Sequence, residues 1–352
     1  MQKPIKLAVV GAGLVGQRHI AAIAQVADTG LVGVVEPNGG AFGDAPVYAD
    51  LAALFDKVDV DGIIISTPTP LHLSGAQACL DAKIPILIEK PLAISVAQAQ
   101  SIVDASESTG VPVLVGHHRR HNPLIQKAAH LIQSGAIGTI RAAQATCWFY
   151  KPDEYFGAAP WRKQRGAGPI SVNLVHDVDL MRHLCGEVVA VQAQLAPSSR
   201  GYENEDVAAA VLRFDSGALC TITVSDSIVA PWSWEMTSSE YPIYPVTDQS
   251  CYLIGGSEGS LSIPDLRLWR HDGQKSWWNA ISATAMPREA SDPLINQIAH
   301  FADVIRGEQQ PLVTAQEGLR TMQVIEAIQT AATTQNTVHI KAAAGVVSKA
   351  AE

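Results

Sequence analysis

The chain has 352 residues, 47% of them hydrophobic and 17% charged, a balance of folded globular domains rather than of disorder. That length implies about two domains and a sizeable core. The formal net charge is -9 and no run of lysine or arginine occurs, which argues against nucleic acid and membrane surfaces as partners.

Cys79, Cys147, Cys185, Cys220 and Cys251 form no Cys-x-x-Cys pair. They read as packed free thiols of a reducing compartment, the cytoplasm, rather than as a disulfide framework or a zinc site. Lys3 and Lys6 precede the apolar stretch Leu7 to Val10, but Gly11 and Gly13 break it at once, so no secretory signal is expected. No stretch approaches the ~18 uninterrupted apolar residues of a membrane-spanning helix.

Up to about residue 120, short apolar runs alternate with helical patterns. Strands are predicted over Ile5 to Val10, Leu31 to Glu36, Gly62 to Ser66, Ile84 to Ile88 and Val111 to Val115. Helices are predicted over Val15 to Ala27, Leu51 to Phe55, Leu73 to Ala82 and Val96 to Thr109. Apolar runs without alternation suit strands buried on both faces, and the βαβαβ order suits a doubly wound parallel sheet.

The pattern changes after Pro123. A helix over Leu124 to Ser134 precedes longer, partly alternating strands: Thr139 to Tyr150, Val188 to Leu195, Val207 to Phe214 and Ala218 to Ser225. Asp215-Ser216-Gly217 is a hairpin turn signal between the last two. A helix from Ile170 to Leu184 interrupts the series. Shorter strands follow over Cys251 to Ile254 and Leu266 to Arg270, and helices over Pro293 to Arg306 and Ala315 to Thr330 close the chain. The expected division is an α/β Rossmann domain over 1–122, an α+β domain with a largely antiparallel open sheet over 123–340, and a frayed tail over 341–352.

Gly11, Gly13 and Gly16 sit where the first strand turns into the first helix. The first permits a tight turn, the second lets backbone approach a pyrophosphate, and the third lets the helix pack on the strand. The helix start, with Leu14 and Val15, then offers unpaired N–H groups to phosphate. Glu36 ends the second strand about 20 residues on, where a carboxylate accepts from ribose hydroxyls and repels a 2′-phosphate, so NAD is favoured over NADP. An FAD reading uses the same fingerprint, but two dinucleotide halves are not evident.

Ser66-Thr67-Pro68-Thr69-Pro70-Leu71-His72 follows the third strand, at the sheet edge where ligands bind in such folds. An ordinary proline-stopped turn is an equal reading of that segment alone. Glu89-Lys90-Pro91 follows the next strand. Lys90 is the candidate for taking a hydroxyl proton, because a cationic nicotinamide beside it disfavours the ammonium form. Gly116-His117-His118-Arg119-Arg120-His121 reads as a cofactor-edge loop rather than a metal site.

Asn173, His176 and Asp177 fall at i, i+3 and i+4 of a predicted helix and so share one face, suited to binding a substrate hydroxyl and relaying a proton. A metal reading ranks low without a second histidine at fixed spacing. Tyr150, Trp161 and Arg162 are further substrate-binding candidates; aromatic faces stack on sugar or ring faces, although core packing explains each equally well.

These motifs together, Gly11-Ala12-Gly13-Leu14-Val15-Gly16, Ser66-Thr67-Pro68 with His72, Glu89-Lys90-Pro91 and the helix of His176, resemble the glucose–fructose oxidoreductase and inositol dehydrogenase (Gfo/Idh/MocA) family over nearly the whole chain. The resemblance implies nucleotide-binding oxidoreductases that oxidise or reduce sugars, polyols or related cyclic alcohols. It also implies homodimers or homotetramers formed through the open sheet. It implies that Lys90 binds substrate and assists proton transfer, and that His176 is the catalytic histidine. Many members carry an Asp four residues before that histidine; here the position is Val172, leaving Lys90 and His176 as the candidates. Two other functions share these features: a dihydrodiol dehydrogenase acting on a carboxylated cyclic diol, with Arg119, Arg120 or Arg162 on the carboxylate, and a non-catalytic NAD-binding regulatory protein.

Overall fold

A computed structural model describes residues 3–341, and all but the first residue of the tail expected over 341–352 lies outside the described residues. In chain order the elements are β1 (Ile5–Val10), α1 (Leu14–Ile23), β2 (Thr29–Val35), β3 (Val47–Tyr48), α2 (Leu51–Phe55), β4 (Gly62–Ile65), α3 (His72–Asp81), β5 (Ile86–Ile88), α4 (Val96–Thr109), β6 (Val113–Val115) and α5 (Pro123–Gln133). There follow β7 (Ile140–Trp148), α6 (Asp153–Gly157), α7 (Val175–Cys185), β8 (Val188–Pro197), β9 (Glu205–Phe214), β10 (Leu219–Ser225), α8 (Trp234–Thr237), β11 (Tyr252–Gly256), β12 (Ser260–Ile263), β13 (Arg267–Arg270), β14 (Ser282–Ala285), α9 (Pro293–Ile305), α10 (Ala315–Thr334) and β15 (Val338–His339).

The chain forms two units. The first comprises Met1–Gln126 and Glu289–Met322; the second begins at Lys127, runs to Arg288 and resumes at Gln323.

The first unit is a six-stranded sheet ordered β3-β2-β1-β4-β5-β6, with every neighbouring pair parallel. Alternate residues of its strands go to opposite faces, and helices cover both. Ala8, Ile63, Ile65, Ile86 and Ile88 pack against Ala76, Cys79, Leu80 and Ile102. Leu7, Val9, Ile64 and Leu87 pack against Ile23, Ile298 and Phe301. Two covered faces explain why these strands are apolar at every position. The second face also explains why Glu289–Met322 belongs here rather than with a domain over 123–340. The apolar side of α9 is part of its cover, and Gly62 makes room for it: a Cβ there would lie 2.5 Å from Ile305 and 3.0 Å from Phe301. The strand order reverses between β1 and β4, so the crevice at their carboxyl ends is the topological switch point.

The second unit holds a nine-stranded open sheet ordered β14-β13-β12-β11-β7-β10-β9-β8-β15. Neighbours are antiparallel except β7 and β10. In β9, Asp206, Ala208, Ala210, Leu212 and Phe214 are buried while Ala209, Val211 and Arg213 are exposed, the alternation of a sheet covered on one face. Gly217, at φ +85°, closes the β9–β10 hairpin as the turn signal implies. The single helix expected over Ile170 to Leu184 is two pieces: a π turn over Ile170–Leu174, then α7. All five cysteines are buried free thiols.

Candidate functional site

In the first unit, the glycine turn joins β1 to α1 at the switch point. Gly11 has φ +87°, and a Cβ there would sit 2.9 Å from the backbone of Ser66 and Thr67. At Gly16 a Cβ would lie 2.0 Å from the Gly11 carbonyl oxygen, so α1 starts as close to the strand as it does only because side chains are absent. Gly13 differs from both: a Cβ there would meet nothing within 4 Å. Its face is open, as backbone that receives a pyrophosphate must be. Leu14 and Val15 beside it are exposed at 82% and 42%.

Glu36, just past β2, accepts from the Ala12 N–H at 3.0 Å and from the backbone and side-chain nitrogens of Asn38 at 3.2 and 3.1 Å. The Ala12 bond, with Asn38, holds its carboxyl below the usual carboxylate range. The carboxylate is thus anchored to the glycine turn. The Ser66 hydroxyl donates to the carbonyls of Gly11 (2.7 Å) and Val10 (3.2 Å) and clamps that turn to the end of β4.

His72 and Glu89, two further cofactor-binding candidates, both have partners within the protein. His72 is 1% exposed, with Nε2 3.0 Å from the Thr67 carbonyl and Nδ1 3.0 Å from that of Pro91. It ties the Ser66–Pro68 loop, with Thr67 and Pro68, to the loop after β5. Glu89 places one carboxylate oxygen 2.8 Å from His19 Nε2 and accepts from the Lys90 N–H at 3.1 Å with the other. Burial pushes its pKa up, but the His19 hydrogen bond and charge, with His118 and Lys90, outweigh burial and bring it down to about 2. Gly116 makes this possible, because a Cβ there would fall 2.9 Å from the Glu89 carboxyl carbon. Lys90 is therefore held through its own backbone at the carboxyl end of β5, the sheet edge that also carries the glycine turn and Ser66. His19, fully buried on α1, was not singled out in the sequence. Its signal there was faint: one histidine three residues past Gly16. Arg119 is buried in the short turn His118–His121, and Arg120 pairs with Glu317 at 2.9 Å.

In the second unit His176 is 8% exposed in the first turn of α7. Asn173 lies in the preceding π turn, and its side-chain oxygen accepts from Lys151 Nζ at 2.7 Å. Asp177, grouped with them in the sequence, is fully buried and accepts from the Tyr252 hydroxyl. A π turn has more residues per turn than an α-helix, so the i, i+3, i+4 count across it does not define one face. Lys151, absent from the expected set, is 7% exposed, with Asp226 3.5 Å from its Nζ. Burial pushes its pKa down, opposed chiefly by Asp226. Tyr150 and Trp161 are half exposed, and Arg162 stacks on Tyr155 at 4.1 Å.

Residues 5–117 match the model of an oxidoreductase family with an NAD-binding Rossmann fold (GFO_IDH_MocA), and residues 125–262 match the GFO/IDH/MocA C-terminal domain. The chain is 26% identical to D-apiose dehydrogenase of Paraburkholderia graminis, over 96% of this chain and 90% of that protein. It is 25% identical to scyllo-inositol 2-dehydrogenase (NADP(+)) of Bacillus subtilis, over 92% of each. In fold it is similar to an oxidoreductase from Agrobacterium radiobacter solved with NAD+, L-tartaric acid and magnesium. The TM-score is 0.80 at 21% identity, with 96% of this chain and 98% of that one covered. Among the described residues no helix is long and apolar enough to cross a membrane.

Proposed function

The chain belongs to the GFO/IDH/MocA oxidoreductase family, with its NAD-binding Rossmann fold, and from that premise we propose that it interconverts a secondary alcohol of a sugar, polyol or related cyclic alcohol and the matching ketone. The observation that carries the reading is the locked Glu89–Lys90 corner: a lysine fixed by a buried carboxylate at the sheet edge that bears the pyrophosphate turn. A bound nicotinamide supplies the hydride acceptor. Gly11, Gly13, Leu14, Val15 and Gly16 hold its pyrophosphate. Glu36 selects NAD, because its carboxylate, fixed on Ala12, accepts from ribose hydroxyls and repels a 2′-phosphate. Lys90 takes the hydroxyl proton from the substrate, with His176 as second proton-handling group and Asn173 as a substrate contact. The similarity to the apiose and scyllo-inositol dehydrogenases supports this substrate class.

The same reading places the protein in the cytoplasm as a homodimer or homotetramer. The open face of the nine-stranded sheet supports self-association, since it exposes Val211 on β9, Leu219 on the neighbouring β10 and Leu253 on β11, one strand beyond β7. The function is tested by following absorbance of reduced nicotinamide with NAD and NADP across sugars, polyols and cyclic diol acids. Oxidation of a sugar or polyol with NAD is the expected result. Tight NADH binding without turnover on any of them would replace this reading with a non-catalytic NAD-binding protein.

A further inference from the structure

We infer that Lys151 and Arg162, two cations that each lie against the Tyr155 ring in the second unit, form an anion subsite that takes a carboxylate carried by the substrate. The inference rests on the reading of the π turn and α7, with Asn173 and His176, as substrate-handling elements. Lys151 Nζ lies 4.9 Å and the Arg162 guanidinium carbon 4.1 Å from the centre of the Tyr155 ring.

Both cations hold donor capacity that their surroundings do not use up. An ammonium has three donors. Lys151 gives one to the neutral Asn173 amide at 2.7 Å and reaches Asp226 only at 3.5 Å. That aspartate is already taken by Arg200, whose Nη1 sits 3.0 Å from it and whose Nη2 donates to the carbonyls of Lys151 and Asp226. Arg200 is thus committed, while Lys151 is a buried cation with incomplete compensation, an arrangement that is unfavourable unless something else completes it. Arg162 donates from Nη1 to the Tyr155 carbonyl at 2.7 Å, and its Nε is buried with no hydrogen-bond partner. Burial raises the pKa of the nearby Glu205, and one of its carboxyl oxygens is already engaged by the Ile170 N–H at 3.2 Å.

The direction of the donors selects the ligand. Lys151 can only donate, so the Asn173 amide must turn its oxygen to it and offer its NH2 elsewhere. Ammonium, guanidinium and amide NH2 are then all donors. A hydroxyl would bring an O–H of its own to be accepted, whereas a carboxylate brings two oxygens that only accept. Asn173 is in the turn that leads directly into the helix of His176, and π turns occur frequently at functional sites.

The test compares matched acids and neutral partners, D-gluconate with D-glucitol and D-galacturonate with D-galactose, on the NAD-loaded protein. Binding is read by calorimetry and turnover by NADH absorbance, for wild type, Lys151→Met, Lys151→Arg and Arg162→Met. The acid of a pair is expected to bind at least about tenfold tighter than its neutral partner. That ratio is expected to collapse toward one in both methionine variants, through KM rather than kcat, and to survive in part in Lys151→Arg. Circular dichroism and an NADH Kd within about twofold of wild type show that each variant is folded. Equal binding of acid and neutral partners by wild type overturns the subsite, as does a methionine variant that keeps the ratio. Preference for D-glucitol 6-phosphate over D-gluconate overturns the carboxylate in favour of a phosphate. Absence of turnover with every probe strikes the proposed activity instead, and the binding ratio still decides the subsite.

Discussion

Alanine at Gly13 and alanine at Gly16 are expected to have opposite consequences. At Gly16 the new methyl would lie 2.0 Å from the Gly11 carbonyl oxygen and 2.8 Å from the Ser66 hydroxyl. Backbone cannot yield as a side-chain end does, so the turn must open and the Ser66 clamp loosens. Overpacking costs ~1–3 kcal/mol, and a backbone clash puts this case near ~3. That corresponds to a fall of about 8 °C in the melting temperature of the first unit. At Gly13 the backbone is φ -66°, ψ -169°, which alanine adopts freely, and there is nothing within 4 Å for a methyl to meet. The gain from a stiffer unfolded chain, ~0.4–1 kcal/mol, offsets the poorer helix cap, so stability stays within about 0.5 kcal/mol of wild type. The methyl does stand where backbone approaches the pyrophosphate. NADH is expected to bind ~100-fold more weakly, about 2.7 kcal/mol. Thermal unfolding and NADH fluorescence titration of the two variants separate the effects. A Gly13→Ala protein that binds NADH within about threefold of wild type would refute the cradle.

Glu89→Gln is expected to lose about 3 kcal/mol at neutral pH, the cost of breaking a buried pair. The Glu89 carboxyl is held down to about 2 from an ordinary 4.5, so its contribution is complete above about pH 4.5 and fades as pH falls toward 2. The variant's stability should therefore depend less on pH across that window in acid unfolding followed by circular dichroism. Glu36→Ala is expected to weaken NAD, strengthen NADP and narrow their affinity ratio at least tenfold, roughly the loss of one charged contact to the ribose. Matched titrations with the two cofactors check it. Tyr252→Phe removes the donor aimed at buried Asp177 and should cost ~1–3 kcal/mol in denaturant unfolding, with NADH affinity unaltered.

The parallel sheet was legible because its strands are apolar on both faces, and β1, α2 and α4 fall where the pattern places them. The strands left unread, β3, β12, β14 and β15, have two to four residues and lack the continuous apolar run that makes the equally short β5 and β6 readable. The return of α9 to the first unit was hidden for a different reason: an amphipathic helix states that it covers something, not which sheet. At the site, motifs that depend on backbone were readable. Glycine is rarely placed by accident at φ +87° or where a Cβ would lie 2.0 Å from a carbonyl oxygen. Side chains that act through distant partners were not readable. His19 meets Glu89 across 70 positions and Lys151 meets Asn173 across 22, and no local spacing encodes either pair. The i, i+3, i+4 grouping of Asn173, His176 and Asp177 assumed α-helical spacing across what is a π turn.

The central claim is that Lys90 handles the proton when an alcohol is oxidised with NAD. It is tested most directly by Lys90→Ala, with NADH binding and single-turnover NADH formation measured on the same sample with the first sugar or polyol that wild type oxidises. The account expects an NADH Kd within about threefold of wild type and a rate reduced at least ~100-fold, with the residual rate rising with pH as solvent takes over the proton. A variant that binds NADH and oxidises the substrate at the wild-type rate would contradict it.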